Sequence, residues 1–231
     1  MTMRLIFRSP QWLSELFVVP VDHTGWAPRV FCKTTNGWTP DRARASFQTA
    51  TKSLVPIDRV GGSLSTTFGL YIIAASEPYP AIYVGIAAGS GEAPEGILSR
   101  IRKHRVKLTG SHVGASPHAT GGVHHPSEWR DFAVARHGHF TTNGNVDDCS
   151  DVRLVVATLV SDASGVADEK ALLEAIESAI VADRRGILGR LYSLLWESDA
   201  PVRLLTSGVT SRELPGPIDI ELWNGAHVVL P

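Results

Sequence analysis

The apolar positions of this chain change period several times, and each change marks an element. FGLYIIAA (Phe68 to Ala75) and AIYVGIA (Ala81 to Ala87) are apolar runs of strand length. Between them, Ser76-Glu77-Pro78-Tyr79-Pro80 holds two prolines. Prolines cannot sit inside a paired strand, so the two runs read as a hairpin with its turn there. AGSGEAP follows as a flexible connection, and Pro94 suits the first turn of a helix from about Glu95 to Lys107. Ile97, Leu98, Ile101 and Leu108 give that helix its apolar stripe. Residues 109–128 are rich in Gly, Ser, His and Pro and read as a long loop. A short helix is expected from Glu128 to Arg136, ending near His137-Gly138, and RLVVATLV (Arg153 to Val160) is a strand. Asp168 can cap a helix reaching about Asp183, with Leu172, Leu173, Ile176 and Ile180 at helical spacing. A further helix is expected from Ile187 to Trp196, and VRLLT and IDIELW are weaker strand candidates.

Ahead of these elements, residues 1–65 carry short apolar runs (RLIF, LFVVPV, RVFCK) broken by Pro10, Pro20, Pro28, Asn36-Gly37 and Pro40. That punctuation predicts irregular strands and loops, with a short helix over Asp41 to Thr51. Gly61-Gly62-Ser63 reads as a hinge into the next unit. Three segments result: an N-terminal elaboration (1–65), a central core (66–185) and a C-terminal elaboration (186–231).

Composition narrows the class. With 231 residues, 43% of them hydrophobic and 19% charged, a core of useful size is available without staples. No run approaches the ~20 apolar residues of a membrane helix. Arg4 and Arg8 before WLSELFVVPV mimic a secretory signal, but Glu15 interrupts the stretch and no small-residue cleavage site follows. Cys32 and Cys149 are too few for a disulfide framework or a four-cysteine zinc site, so the expected compartment is the cytoplasm. The formal net charge is −1, yet residues 1–150 hold 15 Lys+Arg against 11 Asp+Glu. The densest positive stretch is RIRKHRVK, Arg100 to Lys107. A local basic surface is all that phosphate contact requires.

Chemistry gathers around the hairpin. Gly69-Leu70-Tyr71 and Tyr83-Val84-Gly85 lie on its two arms. Each glycine permits close approach of a backbone or a ligand. Arg100 and His104, four apart, project from one side of the following helix. Taken singly, a strand tyrosine is core packing and Arg100 a surface charge; the order and spacing together are what carry weight. With these residues, the sequence resembles the GIY-YIG endonucleases over about residues 66–185. Leu70 and Val84 stand where the two motifs have isoleucine. Ile97 to His104 is similar to the family's helix bearing an arginine and a histidine, and WRDFAVARHG (Trp129 to Gly138) to the helix before the third strand.

The resemblance implies an α/β (α+β) fold: a small three-stranded antiparallel sheet flanked by helices, with N- and C-terminal elaborations. It also implies a metal-dependent endonuclease that hydrolyses DNA by water attack. Tyr71 would take the proton from water, Tyr83 and His104 would orient water or phosphate or share that task, and Arg100 would meet the developing charge. Glu177, flanked by Ile176 and Ile180, would hold Mg²⁺ or Mn²⁺, with Glu174 as the alternative carboxylate. Gly69, Gly85, Arg102 and Lys103 would contact substrate. The asparagine that often completes such sites is not placed, since Asn224 is distant. Six histidines between His112 and His139 match no zinc spacing and read as a loop that contacts phosphate or moves. Double-stranded DNA is the favoured partner, single-stranded or branched DNA the next. The embedded core is similar to restriction enzymes of this family, which can dimerise to cut both strands. The competing class is a catalytically silent nucleic-acid-binding module on the same fold.

Overall fold

The computed structural model describes residues 3–18, 54–57, 64, 68–88, 96–108, 132, 135–136, 149–161, 169–206 and 212–231. The hinge at 61–63, the expected helix over 41–51, and the histidine-rich stretch with its six histidines lie outside them. Ten strands are described: β1 (Met3–Phe7), β2 (Gln11–Trp12), β3 (Phe17–Val18), β4 (Val55–Pro56), β5 (Gly69–Ala75), β6 (Ala81–Ala87), β7 (Val152–Ser161), β8 (Arg203–Leu204), β9 (Ile218–Glu221) and β10 (His227–Leu230). The described α-helices are α1 (Ile97–Leu108), α2 (Glu169–Ala182) and α3 (Gly189–Trp196). None of the described helices is long and apolar enough to cross a membrane.

The expected small three-stranded antiparallel sheet is not what forms. Strands β5, β6 and β7 are antiparallel to one another, but they belong to an eight-stranded mixed sheet in the order β10-β9-β1-β7-β5-β6-β8, with β2 also on β7. Two pairs, β1 with β9 and β6 with β8, are parallel. The reason lies in β7. Its Val155 and Ala157 are buried on one face, and Leu154 and Val156 on the other. A strand apolar on both faces cannot end a sheet, because its free edge would expose unpaired amides. Met3 to Phe7 pairs along that edge, and β9 and β10 extend the sheet further. Segments expected as elaborations therefore complete the sheet. The strand β10, which no sequence signal announced, closes a hairpin whose turn is fixed by Gly225 at φ +80 and by the Asn224 side chain accepting from the Ala226 amide.

Alternation on β5 sorts the two cores. Tyr71, Ile73 and Ala75 face a core with α1, which contributes Ile97, Leu98, Ile101, Val106 and Leu108. Leu70, Ile72 and Ala74 face a second core with Leu172, Ile176 and Ile180 of α2 and Leu191, Tyr192 and Leu195 of α3. Helix α1 therefore covers one side of the hairpin and α2 with α3 the other, as the period-2 geometry of a strand allows. A five-residue π turn, Arg184–Leu188, joins α2 to α3, its Gly186 and Ile187 amides capped by the Asp183 carboxylate. Beyond the short β8, the outer edge of β6 is satisfied by a side chain. The Thr206 hydroxyl accepts from the Val84 amide at 2.6 Å and donates to the Val84 carbonyl at 2.9 Å.

A buried ion pair ties the α1 end to β7. Arg136 is fully buried, donates from Nε to Asp151 at 2.8 Å and from Nη2 to the other carboxylate oxygen, and gives Nη1 to the Leu108 carbonyl at 3.0 Å. Asp151→Ala would remove the carboxylate that accepts two of the bonds of that buried guanidinium. The expected loss is about 3–5 kcal/mol in urea unfolding; a loss below ~1 kcal/mol would show that the pair contributes little.

Candidate active site

Tyr71 on β5 stands directly across from Gly85 on β6. A Cβ at Gly85 would lie 2.7 Å from the Tyr71 ring and hydroxyl and 2.8 Å from the Tyr83 ring. The missing side chain is therefore what lets the two phenols lie over this strand. Gly69 serves a backbone approach instead: it sits at φ +145, and a Cβ there would stand 2.2 Å from the Ala157 carbonyl oxygen.

The α1 stripe supplies the third member. His104 falls three residues after Ile101 and seven after Ile97, so helical spacing turns it inward with them. It is 7% exposed, and its ring lies 4.5 Å from that of Tyr83 and 5.7 Å from that of Tyr71. The Tyr71 hydroxyl and His104 Nε2 are 2.9 Å apart. A neutral imidazole protonated on Nδ1 leaves Nε2 as an acceptor, and the phenol then donates to it. Arg100, one turn earlier, is exposed, while Arg102 and Lys103 are partly buried. Arg105, within the same basic run, is buried and donates to the Cys149 sulfur at 2.9 Å, so it serves the core.

Electrostatics joins Glu177 to this group. Burial raises the Tyr71 phenol well above its ordinary value, the neighbouring Tyr83 adds to the rise, Arg100 opposes it, and Glu177 adds a further increment. Tyr83 is pushed up to about 12, by burial first and then by Glu177, again against Arg100. Glu177 is itself pushed up to about 7 by burial and by the adjacent Glu174. Both phenols are therefore neutral near pH 7, and one carboxylate is poised between its two forms.

The two candidate carboxylates differ in their partners. Glu174 meets Arg212 Nη2 at 2.9 Å through one oxygen and Lys170 Nζ at 3.8 Å through the other. Glu177 has no hydrogen bond or ion pair to any described residue. A half-buried carboxylate with no counter-charge among the described residues fits a hard divalent cation, which takes one or two carboxylates and keeps its waters. No group of three or more His, Cys, Asp or Glu that could enclose a metal occurs among the described residues. Asn224 is engaged in its own turn, on the hairpin of β9 and β10.

Tyr71, Tyr83 and His104 are thus in contact, with Arg100 and Glu177 within electrostatic reach of the two phenols. Neither Arg212 nor Thr206 stands out from local spacing, because both act through tertiary contacts. No family model matches the chain, and no curated protein or solved structure matches it either.

Glu177 binds its proton more readily in the folded than in the unfolded chain. Its contribution to stability is complete below the ordinary carboxylate range and is lost as pH rises toward about 7. In EDTA, wild type should lose stability between about pH 5 and about pH 8 more steeply than Glu177→Gln. Parallel curves from urea unfolding would remove Glu177 from this buried environment.

Proposed function

We propose that the chain is a divalent-metal-dependent phosphodiesterase of the GIY-YIG type, an endonuclease acting on DNA. The observation that carries this reading is the Tyr71–His104 hydrogen bond of 2.9 Å, set beside Tyr83 and within the electrostatic reach of Arg100 and Glu177. Core packing alone has no use for a phenol, an imidazole, a guanidinium and an unpaired carboxylate together.

Each group has a task in hydrolysis. A neutral phenol is a poor base, so Tyr71 can accept a proton from the attacking water only while giving its own to His104 Nε2. The bond already in place orients that transfer. The imidazole thereby becomes cationic next to the phosphate, which offsets the charge building on it. Arg100, exposed on the flank of α1, meets the phosphoryl oxygens with fixed donors. Tyr83 packs on His104 and holds its ring in place. Glu177 is the residue that would hold Mg²⁺ or Mn²⁺. Such an ion supplies positive charge toward the leaving oxygen. Proton and metal compete for that carboxylate near neutrality.

The basic helix supports a nucleic-acid substrate. α1, ILSRIRKHRVKL, holds no acidic residue, and Arg100, Arg102 and Lys103 stand at or near its surface. A local cationic strip beside the reacting groups holds a phosphate backbone. DNA is the substrate to which the family resemblance points, double-stranded first. The wide sheet around the site fits a restriction or defence enzyme, with a homodimer cutting both strands.

A second reading, a binding module without catalysis, draws on one fact: Tyr71 is only 2% exposed. Plasmid and single-stranded DNA incubated with Mg²⁺, Mn²⁺ or EDTA distinguish the two. The nuclease cuts with metal alone, and Arg100→Ala and Glu177→Gln each lower the rate about 10²–10³-fold. Discrete bands favour the restriction role. Normal cutting by both variants contradicts this site, and DNA retained without cutting supports the binding module.

A further inference from the structure

We infer that Arg212 is a positioning residue that selects which carboxylate of α2 holds the metal, by retaining Glu174 in an ion pair and leaving Glu177 to the site. The inference rests on the metal-dependent reading above and goes beyond it. Glu174 and Glu177 are three apart on one helix, close enough for their side chains to share a flank. Two free carboxylates there would form a tighter, two-anion metal site. The geometry prevents this. Arg212 Nη2 lies 2.9 Å from Oε2 of Glu174, and Lys170 Nζ lies 3.8 Å from Oε1, so each oxygen faces a cation. Lys170 is the weaker restraint, being more distant and more exposed at 53%. Arg212 comes from the segment between β8 and β9, so the C-terminal part of the chain acts on the central site.

The pair is a poor candidate for a purely stabilising role. Arg212 is 44% exposed, and ion pairs at that exposure contribute little to folding. What it controls is the number of carboxylates that a cation meets. A single-carboxylate site binds weakly and keeps open positions for water and phosphate; two carboxylates raise affinity at the expense of those positions.

Mn²⁺ binding to the full chain without nucleic acid, read by electron paramagnetic resonance, tests this. Wild type should bind one ion and lose it in Glu177→Gln. Arg212→Ala should bind about tenfold more tightly. Adding Glu174→Gln to Arg212→Ala should abolish that gain, while Arg212→Lys should behave as wild type. Thermal melting of each variant reports folding, and Arg212→Gln replaces Arg212→Ala should the latter not melt cooperatively. Unchanged affinity in Arg212→Ala and Arg212→Gln, with binding still lost in Glu177→Gln, overturns the selector and leaves the metal reading intact. A gain that survives Glu174→Gln overturns the selector as well. No Mn²⁺ binding by wild type or by Arg212→Ala overturns the metal reading and this inference with it.

Discussion

Strand β7 has to be satisfied on both edges and both faces, and the positions of the candidate site residues follow from how that is done. One edge takes β5; the other takes β1 and then β2. Register against β7 places Tyr71 opposite Val156 and sends its ring to the α1 side. A slip of one residue would turn Tyr71 to the α2 side and break its contact with His104. Gly69 secures the register, since only a residue without Cβ tolerates the Ala157 carbonyl so close. Gly85 then clears the space that the phenols occupy. Fold and chemistry share the same two glycines.

The site's electrostatics follows from placing one helix on each side of a thin sheet. α1 brings His104 against both phenols and Arg100 within their electrostatic reach, and Glu177 of α2 acts on the same two phenols. Burial raises both phenols and Glu177, while Arg100 remains exposed. A phosphate arriving at Arg100 would meet a neutral hydrogen-bonded pair able to move a proton and a carboxylate lacking a cation. Tyr71, Tyr83 and Glu177 are each raised above their ordinary values, the kind of displacement that functional sites produce.

Much of this was legible in the chain. The runs at β5 and β6, the proline-marked turn and the apolar stripes of α1 and α2 gave the central elements closely, because each is set by local periodicity. The relation of Tyr71 to His104 also follows from spacing, once Ile97 and Ile101 define the buried side of α1. The extent of the sheet did not follow. Pairing of β1 with β7 and β9 joins residues from the two ends of the chain, and nothing local encodes such a contact. For the same reason His227 to Leu230 passed unnoticed as a strand, and the ion pair of Arg212 with Glu174 could not be foreseen. Arg105 shows the opposite error of emphasis: it lies in the most basic run, yet it is buried and donates to Cys149 inside the protein.

The central claim is that the Tyr71 hydroxyl does chemistry and is not simply part of the core. Single-turnover hydrolysis of a labelled DNA duplex in Mg²⁺ by Tyr71→Phe tests it most directly, because phenylalanine keeps the ring's volume and removes only the oxygen bonded to His104. The account predicts a rate at least about 10²-fold below wild type with duplex binding unchanged. A Tyr71→Phe enzyme that cuts as fast as wild type would contradict it and return Tyr71 to the role of a packing residue.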